Sequence, residues 1–137
     1  MDYTIEIRKG LGKVRFGMPV EEVVALIGEA DNVECMENAA DETTTILHYE
    51  DASMTLFFEG DNPVLECIDI SCPDAELFGE KVFDLNEKEI VQLMVKNNYF
   101  EQDADTETWG ERRISFGEGN IDFFFEDDEL LAIVYGK

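Results

Sequence analysis

Apolar and polar residues alternate in six short segments of the chain, a pattern typical of half-buried β-strands. The candidate strands are residues 44–50, 53–59, 64–70, 112–116, 120–126 and 130–135. Short turns rich in Gly, Asp, Asn and Pro separate consecutive segments within each group of three. Because turns this short join antiparallel neighbours, the pattern predicts two three-stranded antiparallel meanders.

A helical spacing of apolar residues precedes each group of strands. The first helix is predicted to begin at Pro19, whose missing N–H costs nothing there, and to end at Gly28. The second is predicted to begin at Asn86, which forms a capping box with Glu89, and to end near Asn97. Each meander is therefore expected to follow one helix.

The two groups resemble copies of one unit. When the chain is shifted by 67 residues, residues 14–59 align with 81–126 without a gap, and eight of 46 positions are identical. Composition alone would give about three identities. We therefore predict an α+β fold in one domain, built of two tandem repeats at 13–70 and 80–136 that are joined by a linker at 71–79. In each repeat a helix is expected to pack on one face of a three-stranded antiparallel meander.

The segment VRFGMPVEEVVALIGEAD, residues 14–31, resembles the opening motif of BamE-like (SmpA/OmlA) modules. Those modules read G-M-[ST]-x-x-x-V-x-x-x-L-G-x-P before a meander of strands. Two such modules joined through one sheet are similar to the architecture of the β-lactamase inhibitor protein. The second copy departs from the motif, with Asp-Leu-Asn at 84–86 in place of Gly-Met-Pro at 17–19. The resemblance implies a fold and an inhibitor-like binding role, but no lipid-bearing cysteine of an outer-membrane lipoprotein is seen.

The net charge of the chain limits the kinds of molecule that it is expected to bind. The chain has 33 acidic and 10 basic residues, a formal net charge of −23, spread over both halves. Such a surface repels nucleic-acid phosphates and anionic membranes and attracts cationic partners. We therefore predict a basic protein partner, no nucleic acid and no membrane, although the same charge could serve solubility alone.

The sequence contains few residues in patterns typical of catalytic or metal-binding sites. Cys35, Cys67 and Cys72 lack the spacing of a zinc site and fit small hydrophobic residues in a reducing compartment. His48 stands alone in a predicted strand, and the acidic turns at 59–62 and 126–129 lack EF-hand spacing. The N-terminal residues MDYTIEIRKG resemble no secretory signal. We predict a cytoplasmic protein that is not an enzyme, with no catalytic residue, metal or cofactor.

Strand alternation identifies a candidate binding surface. It assigns Met54, Leu56 and Phe58 to the core and leaves Phe57 on the opposite face, and the second copy repeats this around Phe124. Aromatic residues surrounded by carboxylates are plausible anchors for a protein partner. The predicted partner-binding residues are Phe57, Phe124, Trp109, Glu59, Asp122 and Glu126. Alternatives remain open: the phenylalanines could pack against each other or under the loops, and Trp109 could be a loop residue that covers the core.

Three functional hypotheses follow. The first is an acidic immunity or inhibitor protein that occludes a cationic toxin. The second is a scaffold or assembly module, or a homo-oligomer, without a toxin partner. The third, an enzyme or small-molecule binder, would need a deep pocket with convergent polar groups. The partner and the oligomeric state stay open at this point.

Overall fold

The computed structural model describes residues 2–37 and 42–137. These ranges contain thirteen β-strands, two α-helices and two short 3-10 helices at Val82–Asp84 and Gly117–Gly119. In chain order the strands and α-helices are β1 (Thr4–Glu6), β2 (Gly10–Leu11), β3 (Val14–Arg15), α1 (Val20–Ile27), β4 (Asn32–Glu37), β5 (Thr43–Tyr49), β6 (Met54–Glu59), β7 (Val64–Ile70), β8 (Glu76–Leu77), β9 (Glu80–Lys81), α2 (Glu87–Lys96), β10 (Gln102–Thr106), β11 (Glu111–Phe116), β12 (Ile121–Glu126) and β13 (Glu129–Gly136).

Eight strands form the large sheet, in the order β10-β11-β12-β13-β7-β6-β5-β4. All neighbours are antiparallel, so β4 to β7 form one four-stranded meander and β10 to β13 form another. The two meanders meet where β13 pairs with β7, with Ile133 opposite Ile70 and Val134 opposite Asp69. The last strand of each meander therefore lies in the middle of the sheet, and the first strand of each lies at an edge.

Five short strands form the small sheet, in the order β3-β2-β1-β8-β9. Here β1 and β8 are parallel, whereas the other neighbours are antiparallel. Residues 3–7 alternate between apolar and polar, a pattern that would suit an edge strand of the meanders, but Thr4–Glu6 is instead the central strand of this second sheet. Its partners are only two residues long, too short to show alternation in the sequence.

The core lies on the inner face of the large sheet. Met54, Leu56 and Phe58 of β6 are buried there, as predicted, and Ile121, Phe123 and Phe125 of β12 are buried in the same way. The small sheet adds Ile5, Leu11, Val14 and Leu77, each nearly inaccessible to solvent. The two sheets thus enclose a shared core.

One hydrogen bond joins the two sheets within that core. The buried Tyr135 hydroxyl donates to the Gly10 carbonyl oxygen over 2.9 Å. Gly10 has a φ of 150°, and a Cβ atom at this position would lie 2.0 Å from the Val14 carbonyl oxygen. Only glycine fits this close approach of β2 and β3.

The two helix predictions are confirmed. α1 follows Pro19 and ends at Gly28, whose φ of 92° is accessible to glycine at little cost. α2 begins at Asn86, and the capping box with Glu89 forms in both directions, over 2.9 and 3.1 Å. Neither helix, in the part of the chain described, is long and apolar enough to cross a membrane.

The predicted fold class is wrong. The chain is mainly β, 48% strand and 18% helix, with thirteen described strands in two sheets, rather than two repeats of a helix packed on a three-stranded meander. Two causes account for the error. The fully exposed strands β4 and β10 are acidic and were interpreted as irregular connections, and the very short strands of the small sheet were not predicted. The boundaries 13–70 and 80–136 stay a prediction, and the expected linker 71–79 contributes β8 to the small sheet.

Candidate functional site

The face of the large sheet that points away from the core is called the outer face here. Strand register and burial assign side chains to it on each of the eight strands. From β10 to β4 its central side chains are those of Asp103, Asp105, Ser115, Arg113, Asp122, Phe124, Val134, Ala132, Asp69, Cys67, Thr55, Phe57, His48, Ile46, Asn32 and Glu34. No side chain in this set belongs to the buried core cluster. The outer face is therefore a sheet surface on which no other described layer packs.

Phe57 and Phe124 both lie on the outer face and are half-buried. They are separated by three strand spacings and four residues of register, which corresponds to roughly 20 Å. The aromatic contacts among the described residues join other rings. The structure therefore keeps the two phenylalanines apart, in different halves of the face, and they do not pack together.

A β-bulge lies beside each of these phenylalanines. The register shifts between Phe57 and Phe58, where β7 contributes the extra residue Glu66, and between Phe124 and Phe125, where β13 contributes Leu131. A bulge increases the local twist of a sheet and redirects side chains. The two bulges thus bend the sheet at matching places in its two halves.

The predicted acidic residues lie next to the phenylalanines. Asp122 shares the outer face with Phe124, two residues along β12. Glu126 is exposed at the end of the same strand, opposite Glu111 on one side and Glu129 on the other. Carboxylates placed directly opposite one another repel, so this end of the sheet favours a cation between them.

Glu59 belongs to the other half of the face. It lies two residues from Phe57 on β6, and its Oε2 accepts a hydrogen bond from the Thr44 hydroxyl over 2.8 Å. The predicted binding residues therefore form two separate groups, one around Phe57 and one around Phe124, instead of a single patch.

Trp109 lies in the tight turn between β10 and β11, and 70% of its surface is exposed. Its indole Nε1 donates to Glu111 Oε2 over 3.3 Å. The turn directly precedes Glu111, which pairs with Glu126, so Trp109 lies on the Phe124 side of the sheet. A loop plug over the core, the alternative considered above, is not what the structure shows.

Sequence reasoning missed the middle of the outer face. Asp69 and Val134 face each other where the two meanders meet, and Cys67 lies two residues from Asp69. Burial raises the pKa of Asp69, and burial together with the nearby Asp69 raises the pKa of the Cys67 thiol to about 11. The bulge at Glu66 breaks the alternation within β7, so no simple period could assign these residues to a face.

Charge is distributed unevenly between the two sheets. In the strands of the large sheet the basic residues are Arg112 and Arg113, both on β11. Half of the ten basic residues of the chain lie in or between strands of the small sheet: Arg8, Lys9, Lys13, Arg15 and Lys81. The large sheet is thus the acidic side of the molecule, which composition alone does not reveal.

His48 lies on the outer face between β4 and β6. Its Nε2 is 3.0 Å from Glu34 Oε1, and its Nδ1 is 3.4 Å from the Thr55 hydroxyl. The residues around it line an open depression of about 280 Å³. Both ring nitrogens have polar neighbours, which explains how a histidine is accommodated near the end of β5.

In residues 2–37 and 42–137, no group of three or more His, Cys, Asp or Glu side chains is arranged to hold a metal ion. The sequence-based expectation of no metal and no cofactor stays a prediction.

Comparison with known proteins gives a distant structural similarity. No protein-family model matches the chain, and no curated protein matches it. The solved structure of an extracellular protein containing a SCP domain from Bacillus anthracis str. Ames is similar, with a TM-score of 0.50 and 15% identity. The similarity covers 89% of this chain and 44% of that chain, so this chain spans less than half of that protein's length. At this identity the similarity shows the fold alone.

The expected resemblance to tandem BamE-like modules with a β-lactamase-inhibitor-like architecture is wrong. The chain is mainly β with two sheets, and its fold resembles that of the SCP-domain-containing protein. The motif at 14–31 encodes a strand end, a turn and a short helix between Pro19 and Gly28. These local features occur in many folds, so the motif had little power to identify one.

Proposed function

We propose that the chain is a non-catalytic protein-binding domain whose outer face docks onto a basic protein. The observation that supports this most directly is the outer face itself, a sheet surface free of any covering layer in the part of the chain described. It presents half-exposed Phe57 and Phe124 among carboxylates. Aromatic anchors surrounded by charge are common at protein interfaces.

Acidic residues and aromatic residues would contribute differently to binding. The carboxylates of the large sheet would attract a cationic partner from a distance and accelerate association. Phe57 and Phe124 would then fill pockets on the partner and slow dissociation. Because the two groups are roughly 20 Å apart, the partner would span both halves of the face.

An immunity or inhibitor protein that occludes a cationic toxin is the specific form of this proposal. Occlusion requires a broad, rigid surface of complementary charge, and an eight-stranded antiparallel sheet offers one. A scaffold or assembly module without a toxin partner is the alternative. Pairing of two copies through the same face is disfavoured, because each chain has a net charge of −23.

A cytoplasmic location is part of the proposal. Cys35, Cys67 and Cys72 are free thiols, as is usual in a reducing compartment. The similar solved structure is described as an extracellular protein, which does not support this location. Fractionation of the source cells, with detection of the chain in each fraction, tests this part of the proposal independently of binding.

Capture of a partner tests the docking proposal. Wild type, the double variant Phe57→Ala/Phe124→Ala and the control Val95→Ala are immobilised and exposed to native lysate at low salt. Val95 is a partly exposed apolar residue on α2, outside the strands of the large sheet. We expect wild type and Val95→Ala to retain the same basic protein, and the double variant to bind it at least about 30-fold more weakly, as for hot-spot residues.

The association rate tests the electrostatic part. With the captured protein purified, the rate constant is expected to fall steeply as salt increases, because exposed charges are screened beyond about 10 Å at 0.1 M salt. A partner that binds equally well to the double variant would contradict the proposal. So would a stable homodimer that buries the outer face, detected by light scattering and hydrogen exchange.

A further inference from the structure

The edge strand β10 has a regular charge pattern. Its five residues are all exposed, and it is the outermost strand on one side of the large sheet. Across residues 101–107, which read EQDADTE, every second residue is acidic. Register with β11 places Asp103 opposite Ser115 and Asp105 opposite Arg113, both on the outer face.

The backbone of β10 has unpaired groups along its free edge. At the turn, Glu107 N–H donates to the Glu111 carbonyl oxygen over 2.7 Å. In an antiparallel pair only every second residue exchanges hydrogen bonds with the neighbouring strand, so counting back from Glu107 identifies which residues of β10 bond to β11. The N–H and C=O groups of Gln102, Ala104 and Thr106 therefore point away from β11, toward solvent.

A second strand added here in the antiparallel sense would bond to those three residues. The partner residues opposite Asp103 and Asp105 would then occupy non-hydrogen-bonded positions, where Cα atoms approach to about 4.5 Å and side chains are closest. Cationic side chains at alternate positions of the added strand would thus meet the carboxylates at short range.

Exposed aromatic residues flank both ends of β10. Phe100 precedes the strand and is 60% exposed, and Trp109 follows it and is 70% exposed. Eight residues separate them, and the five residues of β10 between them extend over roughly 17 Å. Aromatic faces bind the stems and the cationic heads of Lys and Arg, so both ends favour the same kind of ligand.

We propose that β10 is a strand-addition site for an extended basic segment of a protein partner, with Lys or Arg at alternate positions opposite Asp103 and Asp105. The inference rests on the proposed function, because it takes the partner to be a basic protein. It adds the edge, the conformation and the charge spacing that this partner would use.

Charge complementarity favours this occupant over a second copy of the chain. Pairing of two β10 strands would place acidic residues against acidic residues. Arg113 lies 4.0 Å from Asp105, whereas the Asp103 carboxylate has no ion pair or hydrogen bond within the described ranges. An incoming cation opposite Asp103 would supply one.

The strand at the opposite edge of the large sheet, β4, differs from β10 in the residues it exposes and in its charge pattern. On β4, Val33 and Met36 are each 55% exposed, and Glu34 already contacts His48 over 3.0 Å. Acidic residues do not alternate along this strand. β4 therefore serves as an internal comparison for β10.

The experiment uses two synthetic peptides of identical composition. In one, Lys and Thr alternate over eleven residues, and in the other the Lys residues are clustered at one end. Binding is followed by the fluorescence of Trp109, the single tryptophan of the chain, and by amide hydrogen exchange. We expect the alternating peptide to bind at least about tenfold more tightly and to protect the amides of Gln102, Ala104 and Thr106.

Two variants test the contacts. Ala104→Pro removes an outward N–H and leaves the bonds to β11 intact, because proline is tolerated on a free edge. Asp103→Asn/Asp105→Asn removes the charges, with Asp51→Asn/Asp61→Asn, in exposed turns, as a control of equal charge change. Both test variants are expected to lose the preference for the alternating peptide, and the control is expected to keep it. Circular dichroism checks that each variant is folded.

Equal binding of the two peptides, protection of β4 instead of β10, or protection of β10 by self-association would each overturn the inference. A basic protein that is captured through Phe57 and Phe124 but binds Ala104→Pro normally would also overturn it, and would leave the proposed function standing. If wild type captures no basic protein, the proposed function fails, whatever the peptides do.

Discussion

Two pairs of adjacent phenylalanines show how the large sheet separates stability from recognition. Phe58 and Phe125 are 0% and 1% exposed in the core, whereas Phe57 and Phe124 lie half-buried on the outer face. The two members of each pair are the same residue type and lie next to each other in the same strand. Because successive side chains in a strand point to opposite faces, a single peptide unit separates the two roles.

Truncation of the phenylalanines should show the largest difference between the faces. Phe58→Ala is expected to lower the free energy of unfolding by about 3–5 kcal/mol, because it leaves a cavity in the core. Phe57→Ala is expected to lower the free energy of unfolding by about 1 kcal/mol or less, because Phe57 is only half-buried and its truncation removes little buried apolar surface. Urea unfolding followed by circular dichroism measures both values.

The second meander offers the matched pair Phe125→Ala and Phe124→Ala, and the same contrast is expected there. If Phe57→Ala proved as destabilising as Phe58→Ala, the outer face would be part of a packed layer and would not be available to a partner.

Removing the hydrogen bond between Tyr135 and Gly10 is expected to have an intermediate effect on stability. Tyr135→Phe removes the donor to the buried Gly10 carbonyl, and we expect a loss of about 1 kcal/mol in stability, since an unpaired buried acceptor is unfavourable. Tyr3→Phe is the control, because no hydrogen bond of the Tyr3 hydroxyl is seen in the described chain. An unchanged unfolding midpoint for Tyr135→Phe would mean that the sheets are held together by apolar packing alone.

The smallest and most specific effect concerns Asp69, in the middle of the outer face. Burial raises its pKa in the folded chain above the usual value of 3.8, so the folded state holds this proton more tightly than the unfolded state does. Well below pH 3.8 the carboxyl is protonated in both the folded and the unfolded state, so burial carries no ionisation penalty there. As pH rises through the folded pKa, ionisation in a half-buried position destabilises the fold.

Asp69→Asn is therefore expected to be more stable than wild type at pH 7 and equal to it at pH 3. Thermal unfolding across this range measures the difference, and Asp61→Asn, in an exposed turn, serves as the control. A variant less stable than wild type at pH 7 would show that the carboxylate makes a favourable contact on the outer face.

The parts of the fold that were predictable from sequence are those encoded by neighbouring residues. The capping box of Asn86 and Glu89, the helix end at Gly28 and the core strand Met54–Glu59 all follow from local patterns. By contrast, β4 and β10 are exposed on both faces, so no apolar period identifies them. Their strand conformation depends on pairing with β5 and β11, which is information from distant residues.

The residues of the candidate site were likewise predictable only where the local alternation of a strand defines them. Alternation correctly placed Phe57 and Phe124 opposite the core, because their strands alternate up to the bulge. It could not show that they lie far apart, because strand order depends on the pairing of β7 with β13. Nor could it find Asp69, since the extra residue Glu66 shifts the period within β7. Register and bulges are properties of pairs of strands.

The position of β13 has a consequence for synthesis. A ribosome delivers this strand after all the other described strands, yet it lies between β12 and β7 in the centre of the large sheet. Until it emerges, β7 is an open apolar edge and the N-terminal meander has no neighbour on that side. Cooperative closure of the large sheet therefore waits until β13 has emerged, and until then the nascent N-terminal meander is exposed to aggregation and to chaperones.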